Sequence, residues 1–246
     1  MVSKPANFVK RLTSRGLLAG AAASVVTALA CVHNDGSVFI GGVLAPPVPV
    51  QGSACTYTAS STGPFLFQGT LDVGLASQYS PVVLVGNQLI ARGDQTQVRV
   101  ETSRFIIQGV IVRLTDAAGA EITSYTVQVA GQVEPAAGAT PSYGSTVVTL
   151  VPPETVKLLR GALTVRGPSK RVVAYFKVYG QTLGGASIES AEYQFPVDTC
   201  LGCLVSFSTA VCGGGGSSTT IQADACQRGM DQPVDACLCK SNAVCN

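Results

Sequence analysis

Tryptophan is absent from this 246-residue chain, histidine occurs once (His33), and charged residues make up only 12%. Each shortage removes a class of function. Most hydrolytic triads use an imidazole as base, and catalytic zinc sites mostly draw on two or three imidazoles. Covalent haem needs Cys-x-x-Cys-His, but Cys200-Leu201-Gly202-Cys203 is followed by Leu204. Aromatics at 6% count against stacking platforms for sugars. No stretch after the N-terminal thirty residues approaches the roughly 20 apolar residues of a membrane-spanning helix. The chain is therefore expected to be no enzyme, with no catalytic residues, no metal and no cofactor.

What is present begins at the N-terminus. Residues 1–30 hold Lys4, Lys10, Arg11 and Arg15 and no acid, followed by an apolar run of small residues from Leu17 to Ala30. A basic start, a short apolar core and small residues before a cut describe a bacterial export signal. Ala28-Leu29-Ala30 satisfies the small-x-small rule of ordinary signal peptidase. The same residues with Cys31 resemble the lipobox of bacterial lipoproteins, with Ala28 where that family usually has Leu. The resemblance covers about 31 residues. It implies cleavage before Cys31, lipid on its sulfur, and a membrane partner reached through that lipid. Val32, where some lipoproteins carry an inner-membrane retention Asp, leans toward the outer membrane or cell surface. A soluble periplasmic or secreted form is the alternative.

Cysteine number agrees with lipidation. Nine cysteines leave one unpaired in an exported protein. With Cys31 acylated, Cys55, Cys200, Cys203, Cys212, Cys226, Cys237, Cys239 and Cys245 form an even set for disulfides. Cys55 stands far from the others and needs a distant partner, for which Cys200 or Cys203 is the first choice. Removing the four basic residues of the leader from the sixteen leaves twelve cations against fourteen acids, a net charge of −2. With no basic run remaining, nucleic-acid binding loses its basis.

From about Gly63 to Phe207 apolar residues alternate with polar ones, the period of half-buried strands. Val98 and Val100, then Val127 and Val129, then Val172, Ala174 and Phe176, then Tyr193 and Phe195 are placed inward. Gln97, Arg99, Gln128, Lys177 and Glu192 are placed outward. Val82–Val85 and Phe105–Val112 read as strands buried on both faces. Gly86-Asn87, Asp116–Gly119, Gly167-Pro168 and Gly184-Gly185 supply turns, and Pro153 to Arg160 is the helical candidate, opened by prolines. About eight or nine strands at this spacing predict an all-β fold, an immunoglobulin-like or related antiparallel β-sandwich with a disulfide-rich C-terminal tail. The expected division is 1–30 signal, 31–62 lipidated N-terminus and Pro-rich tether (Pro46, Pro47, Pro49), 63–207 sandwich and 208–246 stapled tail.

Other motifs read as structure. Cys200 and Cys203 follow one strand and enter another, unlike redox pairs at a helix N-terminus. Arg92-Gly93-Asp94 is ordinary turn chemistry. Glu101, Asp116, Glu121, Glu134, Glu154, Glu189 and Glu192 include no close glycosidase-like pair. Asp224, Asp231 and Asp235 lack the spacing of a calcium loop and read as solvated acids. These observations favour a cell-envelope lipoprotein acting as a non-enzymatic binding, adhesion or surface-complex assembly subunit, with other envelope or surface proteins as partners. The rivals are a thiol–disulfide oxidoreductase using Cys200 and Cys203, a carboxylate-based hydrolase and a small-ligand carrier.

Overall fold

Period-two patterning is expressed over long spans of the computed structural model, which describes residues 36–48, 54–93, 100–206 and 226–235. Twelve strands and one helix are present among these residues: β1 (Val38–Leu44), β2 (Phe65–Leu66), β3 (Gly69–Asp72), β4 (Val82–Asn87), β5 (Phe105–Asp116), β6 (Glu121–Val133), β7 (Ser142–Val147), α1 (Pro153–Ala162), β8 (Lys170–Thr182), β9 (Ser187–Glu189), β10 (Tyr193–Cys200), β11 (Val205–Ser206) and β12 (Val234–Asp235). One sheet has the order β2-β1-β4-β7. The larger runs β3-β10-β8-β5-β6, with β9 also paired to β8. A third, minimal sheet joins β11 to β12.

The two large sheets share one apolar core. Val38, Val43, Val83 and Val85 from the smaller sheet meet Phe105, Val110, Val112, Val172, Phe176, Phe195 and Val197 from the larger. Burial follows the predicted phase on β8 and β10: Val172, Ala174, Phe176 and Phe195 are buried, and Glu192 is exposed. On β6, Val127 and Val129 are half-buried and Gln128 is exposed; Tyr193 and Lys177 are also half-buried. β4 is buried at every residue, as its continuous apolar run predicts. β5 departs from that expectation, since Gln108 and Ile111 face outward on a sheet with one covered face.

The hairpin from β5 to β6 is set by Asp116, whose Oδ1 accepts the amides of Ala118 and Ala120 at 2.9 and 2.8 Å. Gly119 takes φ +88° there, a conformation that side chains with a Cβ resist. α1 opens with Pro152 as N-cap and Pro153 in its first turn, where a missing N–H costs nothing. Its apolar face buries Val156 and Leu159, with Leu163 following at the C-cap.

Four expectations are corrected. The segment read as a tether contains β1, an inner strand paired to both β2 and β4. Its Val38-Phe39-Ile40 and Val43-Leu44 runs do not alternate because a bulge between Ile40 and Gly42 interrupts the register. Val100 is 79% exposed and outside any strand, while its companions Gln97, Val98 and Arg99 lie outside the described residues. Gly86 and Asn87 end β4 rather than forming a turn. Asn87 is wholly buried, its amide donating to the carbonyls of Ser103 (3.0 Å) and Glu134 (3.1 Å) and its Oδ1 accepting Leu89 N–H (2.9 Å). The sheets are also not purely antiparallel, because β3 runs parallel to β10, with Gly69 opposite Val197 and Asp72 opposite Cys200.

Candidate functional site

Chemistry-bearing side chains gather where β3 and β10 end together. Asp72, the last residue of β3, is wholly buried and its carboxylate accepts from three backbone amides. Its Oδ1 accepts from Gly202 (2.8 Å) and Gly74 (3.0 Å), and its Oδ2 from Leu204 (3.1 Å). These bonds fold the loop after β10 into a tight turn, with Gly202 at φ +71°. The turn brings Cys200 and Cys203 into a disulfide. Cys200 is 3% exposed and Cys203 faces solvent. The first choice of partner for Cys55 is thus overturned. Three residues apart on one turn, Cys200 and Cys203 take each other, and Cys55 is bonded to Cys226, 171 residues away.

The donor atoms of Asp72, Cys200 and Cys203 lie within 4.8 Å of one another, a spacing that suits a metal ion. As a disulfide the two sulfurs offer no thiolate, and both Asp72 oxygens are already engaged. Metal ligation there requires prior two-electron reduction of the bond. A carboxylate this close also opposes the thiolate charge that a reactive cysteine needs. Arg166 packs over Gly202 of this turn. The arrangement favours a closed structural bond between buried Cys200 and exposed Cys203.

A second cluster holds the C-terminal segment against the free side of β3. Asp231 Oδ1 accepts Thr70 N–H and Oδ2 accepts the Tyr79 hydroxyl, both at 2.7 Å. Asp231 N–H returns a bond to Thr70 O at 3.0 Å, and Asp72 N–H donates to Gly229 O at 2.9 Å. Gly69 makes the approach feasible, since a Cβ there would overlap the Tyr79 hydroxyl. Burial raises the Asp231 carboxyl to about 6, against the lowering effect of its two hydrogen bonds. Burial and the neighbouring Asp231 charge push the Tyr79 phenol well above its usual range. Asp231, read from sequence as solvated, is therefore a half-buried acid whose charge is costly. Nothing local announced it, because its partners lie more than 150 residues earlier.

Most of the remaining described acids have structural partners. Glu134, Glu192, Glu154, Asp198 and Glu189 pair with Arg104, Arg113, Lys157, Arg171 and Lys177 respectively. Glu101 Oε2 accepts the amides of Arg92 and Gly93 and its Oε1 that of Ser103, which holds this carboxyl below its ordinary value. Arg92 and Gly93 are thus fixed from behind by Glu101, while Asp94 lies outside the described residues, as do Cys31, His33, Cys212, Asp224, Cys237, Cys239 and Cys245.

An open depression of about 470 Å³ lies between β6 and β7, lined by Gln128, Val129 and Ala130 of β6, Ser145, Thr146 and Val147 of β7, and Tyr57 and Val82. It is shallow and open to solvent, unlike the enclosed apolar cavity of a small-ligand carrier. Among the described residues no helix is long and apolar enough to cross a membrane.

No protein-family model matches this chain, and no curated protein resembles it in sequence. A solution structure of a protein described as putative late embryogenesis abundant (LEA) is similar at a TM-score of 0.34 and 10% identity, covering 78% of this chain and 94% of that one. That likeness is too remote to transfer a function.

Proposed function

We propose that this chain is an exported, lipid-anchored envelope protein whose β-sandwich serves as a non-enzymatic binding or assembly module. The observation that carries the reading is the Cys55–Cys226 bond, which ties the segment between β1 and β2 to the C-terminal segment. Bonds of this kind persist in oxidising compartments. The leader-like residues 1–30 supply the route and Cys31 the lipid acceptor. The ion-pair and turn partners of most described acids support a module that binds rather than turns over. The partner class is another envelope or surface protein. Intact mass of the processed protein tests this directly: the expected species begins at Cys31 and carries added acyl mass, and Cys31→Ser moves the protein from the membrane to the soluble fraction. An unmodified Cys31 in a soluble form overturns the anchor.

The exposure of residue Cys203 favours one rival, thiol–disulfide exchange. Titration of the native protein separates the two readings, because a structural pair yields no thiol under mild reductant while an exchanging pair opens and releases two.

A further inference from the structure

The place where the chain enters the fold fixes which end of the sandwich stands nearest an anchored N-terminus. Ser37 O accepts Gln88 N–H at 2.8 Å, and Val38 opens β1 opposite Asn87. Asn87 gathers that end, its amide donating to the carbonyls of Ser103 and Glu134. Leu89 O accepts Ala136 N–H at 2.8 Å, and Leu183 and Gly184 donate to Arg104 O and Thr102 O at 2.9 and 3.0 Å. Residues 88–93, 100–104, 134–141 and 183–187 are thereby tied into one platform around the entry point. Strand ends agree, since Phe105 lies opposite both Val133 and Thr182.

This platform is apolar at its tips. Val100 is 79% exposed, Ile90 65% and Leu183 50%. Loops 135–141 and 183–187 carry no charge. The described acids there are engaged: Glu101 accepts the amides of Arg92, Gly93 and Ser103, and Glu134 pairs with Arg104. Arg92 adds an exposed cation, of the sign that suits lipid phosphate. At the other end of β5, Asp116 lies opposite Val172, and α1 docks nearby through Arg160 to Val73 O. That end also exposes Leu158, but next to the Glu154–Lys157 ion pair.

We infer that the platform is a membrane-seating surface: Ile90, Val100 and Leu183 enter the headgroup boundary of the bilayer that holds an acylated Cys31. The inference rests on the proposed anchor, and a comparison of lengths selects the end that meets the lipid. Residues 31 to 36 span about 18 Å when fully extended. β5, twelve residues long, extends about 40 Å away from the platform. The anchor therefore reaches the platform loops and not the end that holds α1 and the Cys200–Cys203 bond. Exposed apolar side chains beside a cation, with little other charge, are what an interfacial surface requires. The disulfide-bearing end then points away from the membrane, toward the partner.

The absence of tryptophan supplies the test. Ile90→Trp, Leu183→Trp and, at the opposite end, Leu158→Trp each introduce a single reporter at an exposed position. Each full-length variant is expressed, processed and checked by intact mass for acylation and by far-UV circular dichroism for folding. It is then reconstituted, disulfides intact, into phosphatidylethanolamine–phosphatidylglycerol vesicles with brominated acyl chains. The expected result is blue-shifted emission at positions 90 and 183, with quenching about twofold or more above that at position 158. Hydrogen exchange reads the same surface without tryptophan. Amides of residues 88–93 and 183–187 should exchange more slowly in vesicle-bound wild type than in soluble Cys31→Ser, while those of 116–121 do not change. Acylated, vesicle-bound protein with equal quenching at the three positions, or with no slowing at 183–187, overturns the seating surface and leaves the anchor standing. An unmodified Cys31 overturns both.

Discussion

Asp231 offers a direct test of the electrostatics at the C-terminal clamp. Its carboxyl is raised from 3.8 to about 6, mainly by burial. A carboxyl raised by folding binds its proton more tightly in the native state than in the unfolded chain. Its contribution to stability is therefore fully present below the unfolded value near 4 and is lost as pH rises through about 6. A gap of about two units corresponds to roughly 3 kcal/mol, so the ionised protein at pH 7.5 bears a cost of that order from this one group. Asp231→Asn removes the charge and keeps the geometry. Its Oδ1 can accept Thr70 N–H, its Nδ2 can donate to the Tyr79 oxygen, and asparagine tolerates the φ of +58° found at this position. The variant should be more stable than wild type at pH 7.5 by about 1–3 kcal/mol, and the difference should vanish by pH 4. For a domain of this size that is a rise in Tm of roughly 2–12 °C. Urea titrations followed by circular dichroism between pH 4 and 8 are the assay, since the chain has no tryptophan to report by fluorescence. Asp198, held low chiefly by its hydrogen bond to Arg171, acts with the opposite sign and is common to both proteins, so the difference isolates Asp231. Equal pH dependence in variant and wild type, or destabilisation at pH 7.5, would refute the reasoning.

Two further expectations concern stability. Cys55→Ala/Cys226→Ala opens the bond spanning 171 residues; loop closure gives about 5 kcal/mol, native bonds of this kind deliver roughly 2–5, and the melting temperature should fall by at least 5 °C. A change smaller than 1 °C would show that the bond does not restrain the unfolded chain. Asn87→Ala strands the buried carbonyls of Ser103 and Glu134 and the amide of Leu89, so urea denaturation should register a loss of roughly 2–4 kcal/mol. A loss under 0.5 kcal/mol would mean that water replaces the amide.

What sequence made legible follows the range of the interactions. Strands β8 and β10 and the inner phase of β6 were readable because burial on one face of a sheet imposes a local alternation. α1 was readable because two prolines and the spacing of Val156, Leu159 and Leu163 are local signals. β1 escaped because an inner strand with a bulge and two adjacent glycines shows no alternation, and the prolines after it suggested a spacer. Val100 shows the converse error: it sits in a local alternation yet lies outside any strand and is largely exposed. The candidate site was the least legible. Asp72 and Asp231 acquire their meaning from amides and a phenol that only the closed fold supplies. The partner of Cys55 turned on the fact that Cys200 and Cys203 satisfy each other on one turn.

The parallel pairing of β3 with β10 has a consequence for timing. A chain made or threaded from its N-terminus presents Gly69 long before Val197, with which it pairs. At about 5–20 residues per second, synthesis of the intervening segment takes roughly 6 to 26 s. Throughout that interval Leu71 and Val73, both wholly buried in the finished protein, have no strand to cover them. The larger sheet cannot be completed until β10 arrives, so nascent chains ending before residue 193 should stay open and sensitive to protease. On the proposed export route, such slow, non-local closure would keep the chain loose during passage and leave final assembly for the far side.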